Sequence, residues 1–367
     1  MADWSDLPRE LIVYIAKSMG SLEEFIVFGA VCRSWRSAAT KENYFACELP
    51  STRQVPLLML PKKKSATTCK FHSLTKGKLC ELDLSEIEGK MCLSSLGWLL
   101  TVSKDLKFSL IHPLNHARIE LPDGHPNLPP AFFEAIRKFV LSSSPSWTSN
   151  YIVMVHGFSS LAFCRPGENW IKVNLSTPIL VDLTYYKGQF YVVDLDGCVS
   201  VCEIEDGANQ AKLRVVAPNF PKEPFGPMMK SRKLIYLVES AGALLLVLCL
   251  SNPKICDSTT GCKVFKVPFS TNGNSWADME VKNLGNRSLF LCTNSSSISV
   301  EASENSRWKA NCIYFMNNKH VYLRVDMDMG IFSMDDGQIE RPFDKSYNVC
   351  YKGRHFETSH LWIEPSF

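Results

Sequence analysis

The hydrophobic positions of the N-terminal segment predict three short helices. Between residues 11 and 19, apolar side chains recur at steps of one, three and four residues, as on one face of an amphipathic helix. Pro8 suits the first turn of that helix, because proline lacks an N–H that would have no partner there. Ser21 and Glu24 have the spacing of a capping box and predict the start of a second helix. Residues 31–38 carry the apolar positions of a third.

This helical segment has more apolar surface than it can bury alone. A unit of this length rarely forms a sufficient core by itself. Its apolar stripe therefore either caps the larger region that follows or docks into a groove on a partner protein. Periodicity alone leaves both interpretations open.

From about residue 92 onward, the pattern changes to short apolar strands separated by turn residues. Asp194–Gly197 and Asp335–Gly337 are typical hairpin turns of the Asp-Gly type. The hairpins recur roughly every 40–60 residues, which predicts a β-propeller of about five or six blades. A large irregular β-sandwich is the alternative. We expect one helix to interrupt the strands, at residues 131–138.

A Pro- and Lys-rich segment, residues 50–78, separates the two regions. We interpret its Lys62–Lys64 run as a solvated basic loop, because three lysines fall short of the usual nuclear-import cluster. The chain then divides into a helical unit at 3–48, a linker with lead-in strands at 49–90, and a mostly antiparallel β domain at 91–362.

Composition and charge narrow the possible partners. Of the 367 residues, 46% are hydrophobic and 21% are charged, as in globular proteins. The net charge of +3 is too small a surplus to predict nucleic-acid binding. The longest uninterrupted apolar run, residues 241–250, has about half of the ~20 residues that a membrane span requires. We therefore expect no nucleic-acid or membrane partner.

The chain has 14 cysteines, which is an unusually high number. The N-terminus is polar and acidic and shows no secretory signal, which favours the nucleus or cytoplasm and reduced thiols. No Cys-x-x-Cys pair occurs, and no histidine stands at ligand spacing from the closest pairs, so we expect no metal site. Five cysteines that fall in or beside apolar strand runs should pack as small hydrophobic residues: Cys164, Cys202, Cys249, Cys292 and Cys312.

A search for catalytic chemistry finds no complete motif. The phosphate-binding glycine loop, the His-Glu-x-x-His motif and the nucleophile elbow do not occur in the sequence. Asp326 and Asp328 are paired carboxylates of the kind that glycosidases use, but we place them at a turn, where Asp bonds local backbone. We expect no catalytic residue and no cofactor. Ser142–Ser149 and Ser295–Ser303 are rich in hydroxyl and amide groups. They are candidates for contact loops or for solvated turns, and we favour the second interpretation.

Two phrases in the helical region carry a resemblance to a known family. Residues 7–12 (LPRELI) and 31–36 (VCRSWR) resemble an F-box, whose hallmarks are an early Leu-Pro, an apolar helix after it, and a Val-Cys-[Lys/Arg]-x-Trp-[Lys/Arg] ending. Gly29 and Ala30 stand where the family often has a larger aliphatic residue, which predicts looser packing at that point.

The resemblance implies that the helical unit docks on the Skp-family adaptor of a cullin-RING ubiquitin ligase. Each Leu or Ile buried in a partner groove would contribute roughly 1.5–3 kcal/mol. The residues expected to bind the adaptor are Leu7, Pro8, Leu11, Ile12, Ile15, Val31, Cys32 and Trp35. Trp35 suits a second role equally well, in which it pins the three helices together.

A second resemblance lies in the β region. Residues 111–122 (IHPLNHARIELP) are similar to the Asn-Pro-Leu-Thr-Gly-x-x-Ile-x-Leu-Pro phrase of plant F-box proteins of the KIB-like family, and residues 186–194 and 311–315 resemble the same family. In that family a C-terminal propeller follows the F-box. The implied fold class is α+β and multidomain, with a small three-helix F-box followed by a mostly antiparallel β-propeller.

Three functions compete at this point. The resemblance implies a substrate-recognition subunit of an SCF-type (Skp–cullin–F-box) E3 ubiquitin ligase, which itself is non-catalytic and recruits a protein target for ubiquitination. The first alternative is an adaptor-independent module that binds and blocks a partner such as a kinase. The second is a propeller hydrolase, which predicts Asp326 or Asp328 in a central pocket.

Overall fold

In the computed structural model, the described part of the chain comprises residues 4–18, 28–29, 31–39, 43, 55–60, 68–74, 77–123, 136–157, 160–175, 179–205, 210–220, 232–252, 258–269, 275–302, 306, 308–321, 324–342, 351–352 and 360–365. Strands dominate these residues, and they form six sheets that are the blades of a six-bladed β-propeller. This confirms the propeller prediction over the sandwich.

Two α-helices are described, both in the N-terminal unit: α1 (Arg9–Lys17) and α2 (Arg33–Ala38). They are the first and third of the three helices that the sequence predicts. The predicted second helix lies outside the described residues, except for Phe28 and Gly29, which are helical. The three-helix arrangement is therefore not confirmed. Among the described residues, no helix has the length and apolar character needed to cross a membrane.

The strands follow one another blade by blade along the chain. Blades 1 and 2 contain β1 (Leu57–Met59), β2 (Thr68–Ser73), β3 (Lys78–Asp83), and then β4 (Met91–Ser95), β5 (Trp98–Val102), β6 (Phe108–Ile111) and β7 (Arg118–Glu120). Blades 3 and 4 contain β8 (Lys138–Leu141), β9 (Val153–Gly157), β10 (Ser160–Cys164), β11 (Ile171–Val173), and then β12 (Leu180–Tyr186), β13 (Gln189–Asp194), β14 (Val199–Ile204) and β15 (Ala211–Ala217).

Blade 5 contains β16 (Arg232–Ser240), β17 (Ala243–Asn252), β18 (Ser258–Lys266) and β19 (Glu280–Val281). Blade 6 contains β20 (Arg287–Cys292), β21 (Ile298–Glu301), β22 (Cys312–Val321), β23 (Arg324–Ser333), β24 (Ile339–Glu340) and β25 (Tyr351–Lys352), and the last strand of the chain is β26 (Leu361–Ile363).

The two ends of the propeller sequence meet in blade 1. Strand β26 pairs antiparallel with β1, with Leu57 opposite Ile363 and Met59 opposite Leu361. The strands expected between residues 49 and 90 are β1–β3, and β26 completes their sheet. Pairing the first strand with the last closes the ring, which protects edges that would otherwise stay unpaired.

Blade 6 departs from the simple antiparallel meander. Its strand order is β21-β20-β22-β23-β24, and β20 and β22 run parallel. Parallel neighbours need a connection that returns the chain to its starting end, and β21, which is antiparallel to β20, begins this return.

Local turn chemistry agrees with the sequence prediction at the hairpins. Between β13 and β14, one carboxylate oxygen of Asp194 accepts hydrogen bonds from the backbone N–H groups of Asp196 and Cys198, both at 2.9 Å. Gly197 in this turn has φ +82°, and Gly337 after β23 has φ +71°. These are left-handed conformations that glycine adopts without strain.

Two elements differ from the prediction. Residues 131–135 of the expected helix lie outside the described part, but Ile136 and Arg137 are not helical and Lys138 begins β8. Strand β8 is buried, and periodicity alone does not distinguish a short buried strand from a buried helix. Asp326 and Asp328 lie inside β23 rather than at a turn.

Apolar side chains fill the spaces between neighbouring blades. Phe163 of blade 3, for example, packs in one cluster with Phe190 of blade 4. The five cysteines predicted as packing residues are all buried free thiols. Burial raises the pKa of the Cys202 thiol to about 12 and that of Cys312 to about 11, so both are neutral at physiological pH.

Hydroxyl groups connect blades 6, 1 and 2, and we call this group the serine hub: Ser94, Ser95, Ser295 and Ser296. Ser94 donates from Oγ to the carbonyl of Trp362 in β26 at 2.5 Å, and Ser295 Oγ accepts the N–H of Trp362 at 3.3 Å. Ser296 Oγ lies 2.9 Å from Ser95 Oγ. Ser295 is buried, so the solvated turn expected there is wrong.

Ser144 of the other serine-rich segment is also buried, where its hydroxyl accepts the indole N–H of Trp98. The solvated turn expected for Ser142–Ser149 is therefore wrong at this residue. In both segments these buried hydroxyls form hydrogen bonds with distant parts of the chain instead of with water.

A buried ion pair joins three further blades. Lys138 of β8 lies 2.5 Å from Asp182 of β12, and both side chains are almost completely buried. The second oxygen of Asp182 accepts the backbone N–H of Leu237 in β16 at 2.7 Å. His156 of β9 is paired with Lys138 in the sheet, and burial lowers the pKa of its imidazole.

Candidate adaptor-binding surface

Helix α1 begins directly after the Leu-Pro pair. Pro8 has φ −52° and is the residue before the first helical one, and its carbonyl accepts the N–H groups of Leu11 and Ile12 at 3.0 and 3.2 Å. The φ of Pro8 is fixed near the helical value by its ring, whereas its ψ of 139° is extended, so Pro8 lies just outside the helix as its N-terminal cap residue.

Helix α1 has two apolar faces with different surroundings. Ile12 and Ala16 point into a small core that they share with Phe28 and Ala38 of the rest of the unit. Leu11 and Tyr14 lie three residues apart on a neighbouring face and are 50% and 72% exposed. The unit thus buries one stripe of α1 and leaves a second apolar stripe open to a partner.

Trp35 holds this unit together from α2. Its ring centroid lies 4.7 Å from that of Phe28, and its indole nitrogen donates to the carbonyl of Trp4 at 2.9 Å. Its side chain is half-buried. These contacts match the second of the two roles proposed for Trp35, in which it pins the helices.

The packing at Gly29 is closer than the sequence predicts. A Cβ added at Gly29 would lie 2.9 Å from Cβ of Ala39, and the Gly29 carbonyl accepts Nε of Arg36 at 3.3 Å. The expectation of looser packing is therefore wrong, because the small residue lets the chain after α2 approach its backbone.

The eight residues expected to bind the adaptor fall into three environments. Pro8, Leu11 and Val31 are exposed. Four are partly buried: Leu7, Ile15, Cys32 and Trp35. Ile12 is only 2% exposed and belongs to the core of the unit. Contact of these residues with an adaptor stays a prediction.

Two exposed aromatic residues were not among the predicted ones. Trp4 and Tyr14 are 65% and 72% exposed. The sequence carried a signal for Tyr14, since Leu11 and Tyr14 stand three residues apart and so lie on one side of α1. Trp4 precedes α1, where helical periodicity gives no information.

The carboxylates that the hydrolase hypothesis required are only partly described. Asp328 is buried, and its Oδ2 accepts both the N–H and the hydroxyl of Thr259. Its Oδ1 lies 2.6 Å from the guanidinium of Arg341. This carboxylate is held by structural partners between blades 5 and 6.

Comparison with known proteins identifies both regions. The F-box domain family matches residues 4–46, and the KIB1-4 beta-propeller family matches residues 71–333. The second match covers most of the chain. The protein therefore belongs to the KIB1-4 β-propeller family of F-box proteins and resembles plant members throughout its length.

Relatives align with this chain over nearly their whole length. F-box protein At2g26160 of Arabidopsis thaliana is 26% identical, with 86% of this chain and 96% of the relative covered. F-box protein SKIP23 of Arabidopsis thaliana is 26% identical, with 93% and 91% covered. Among solved structures, TolB from Acinetobacter baumannii is similar with a TM-score of 0.41 and 11% identity, covering 90% of this chain and 72% of that chain.

An F-box domain and F-box relatives support a general role in substrate recognition within SCF ligases, and they imply an adaptor of the Skp family as a partner. F-box proteins are in general non-catalytic adaptors of substrates.

Proposed function

We propose that this protein is the substrate-recognition subunit of an SCF-type E3 ubiquitin ligase, in which the F-box binds the Skp-family adaptor and the propeller binds a protein target. The observation that carries the proposal is the exposed apolar stripe of the F-box. Leu11, Tyr14 and Val31 are each at least half exposed in a unit whose own core is very small. Large apolar side chains gathered in one small unit are typical of a protein-binding site.

The mechanism is one of proximity. A target held on the propeller stays near the ubiquitin-conjugating enzyme that the cullin carries, so its effective concentration rises without chemistry by this chain. The propeller is suited to this task because buried inter-blade cores and the β1–β26 closure make it a rigid support. Rigid scaffolds with variable loops commonly present binding sites.

The test is co-purification of a Skp-family adaptor with the full chain. We expect the wild type to retain the adaptor and Leu11→Asp to lose it, because a charge would be buried in the contact. The matched control is Leu79→Asp in β3, since Leu79 has the same 50% exposure as Leu11 but lies in the propeller. This variant should retain the adaptor.

Two outcomes would contradict the proposal. The first is a wild-type chain that does not retain the adaptor. The second is equal retention by Leu11→Asp and Leu79→Asp. Either outcome would favour a propeller that binds its partner without an adaptor.

A further inference from the structure

A cleft of about 330 Å³ lies between blades 3 and 4. Its blade 3 wall is formed by the β8–β9 loop and the end of β10, and its blade 4 wall by the β12–β13 turn and parts of β13 and β14. The volume is at the lower end of the range for ligand pockets. It is suited to one or two side chains rather than to a large ligand.

The lining of the cleft includes one guanidinium group, that of Arg165. Arg165 follows β10, and its Cζ lies 5.5 Å from the ring centroid of Phe163, which belongs to the apolar cluster between these blades. The Arg165 side chain is 21% exposed. It thus lies over an aromatic ring in the space between the blades, where a cation is attracted to the ring face.

This guanidinium has few partners. Among the described residues, its only ion pair is with Glu168, at 3.5 Å, and the carboxylate of Glu168 is half exposed. An arginine has five N–H donors in a planar fork that fits a carboxylate with two parallel hydrogen bonds. A mostly buried guanidinium with one loose partner therefore has donors available for a ligand.

The rest of the lining is neutral and suited to a peptide. Asn150 and Gln189 are among the lining residues, and the ring of Tyr185 lies 4.8 Å from that of Phe190, centroid to centroid. Amides bind peptide backbone groups through their donor and acceptor atoms. Burial raises the pKa of the lining Cys202 thiol to about 12, so it adds no negative charge.

We propose that this cleft binds a carboxylate side chain, Asp or Glu, from an extended segment of the recruited protein, with Arg165 as its ion-pair partner. The cleft has one cationic side chain and no carboxylate in its lining. Arg165 faces Glu168 through Nη1 at 3.5 Å, which leaves its other N–H donors for one incoming carboxylate, whereas phosphate groups are commonly bound by clusters of arginines.

The proposal rests on the function proposed above, because it assumes that the propeller recruits a protein. The test is selection of binders from a random seven-residue peptide library displayed on phage, with the full chain as the immobilised protein. We expect the enriched peptides to share one Asp or Glu. The same selection on Arg165→Gln should not enrich them.

Synthetic versions of the enriched peptides then measure the effect. Replacing the shared Asp or Glu by its amide, or Arg165 by Gln, should each weaken binding by about tenfold or more, as expected for a charge-assisted hydrogen bond. The matched control is Arg118→Gln in blade 2, an arginine that pairs with Glu120 on an exposed strand. It should leave affinity within about twofold, because exposed ion pairs contribute little.

Asn150→Ala provides a second variant in case Arg165→Gln unfolds. Asn150 is exposed, so this substitution should not affect folding, and we expect it to weaken peptide binding by about threefold or more. The adaptor should co-purify with all these variants, which separates a failure of the cleft from a failure of the F-box.

Several results would overturn the proposal. They are no enrichment at all, enriched peptides without a shared acidic residue, and equal affinity for wild type and Arg165→Gln. The proposal would also be overturned if a peptide with phosphoserine in place of the acidic residue bound more tightly than the acidic peptide, which would indicate a phosphate site.

Discussion

The F-box and the propeller manage apolar surface in opposite ways. Eight large hydrophobic side chains are exposed among the described residues, and four of them lie within the small F-box: Trp4, Leu11, Tyr14 and Val31. The much longer propeller has the other four. It even buries a lysine and an aspartate, which form an ion pair.

This difference shows that the two regions obtain their stability from different contacts. The propeller completes its own cores by packing each blade on the next and by closing its ring. The F-box has a core of Ile12, Ala16, Phe28 and Ala38, and it leaves the remaining apolar area for a partner. Burial of that area on binding would then stabilise the bound unit as well as the complex.

The largest effect should come from breaking the buried ion pair of the propeller. Asp182→Asn keeps the shape of the side chain but leaves the Lys138 ammonium without its counter-charge, which should cost about 3–5 kcal/mol. Denaturant unfolding measures this change. As a control, the double variant Lys138→Met, Asp182→Asn should recover most of the loss, because it removes the buried charge and keeps an acceptor for the N–H of Leu237. If Asp182→Asn leaves the free energy of unfolding unchanged, the stability of the propeller does not depend on this ion pair.

Two substitutions in α1 test whether its buried face and its exposed face contribute differently to the stability of the F-box. Ile12→Ala removes a buried side chain and should destabilise the unit by about 2–5 kcal/mol. Leu11→Ala, one residue earlier, should change stability by less than about 0.5 kcal/mol, because its side chain is half exposed. Hydrogen exchange of α1 amides measures both. Equal protection in the two variants would contradict the separation of the two faces.

Gly29→Ala tests how closely the F-box packs. The added methyl would lie 2.9 Å from Cβ of Ala39, and such overpacking costs about 1–3 kcal/mol. Hydrogen exchange of α2 amides should report the loss. Ser34→Ala, on an exposed position of α2, is the control, and a Gly29→Ala protein as stable as this control would show that the chain shifts freely.

The smallest effect is a pH dependence of propeller stability. Burial lowers the pKa of His156, whereas in the unfolded chain it is about 6.5. Between these two values the unfolded chain binds more protons, so stability should fall as pH falls below about 6.5, by at most about 1.4 kcal/mol per pH unit.

Unfolding measured across this pH range in wild type and His156→Gln should show a shallower slope in the variant. His116, which is exposed and lies 3.5 Å from Glu86, provides the control through His116→Gln. A slope that stays the same in His156→Gln would contradict the assignment to this residue.

The hairpin turns could be predicted from the sequence, because a turn is formed by contacts between residues that are close along the chain. The Asp194 carboxylate reaches N–H groups two and four residues away, and a short segment contains all the information required. The F-box was predictable through its Leu-Pro and Val-Cys-Arg-x-Trp phrases, although its second helix lies outside the described residues.

Burial of polar side chains could not be predicted in the same way. Ser296 bonds Ser95, which is 201 positions away in the sequence, and Ser94 bonds Trp362, which is 268 away. The local sequence around a serine is the same whether its hydroxyl is solvated or buried in the serine hub, because the partner in the hub comes from another blade. The same reason explains Asp328, whose partner Thr259 lies in blade 5.

By itself, the sequence determined the two regions, the turn chemistry, the apolar stripe of α1 and the packing of the strand cysteines, because these depend on neighbours along the chain. Only the tertiary structure decided that β26 closes blade 1, that Ile12 faces inward while Leu11 and Tyr14 face outward, and that Arg165 lines a cleft between two blades. Each of these features depends on which distant segments pack together. A short stretch of sequence does not contain that information, because the packing partners come from other blades or helices.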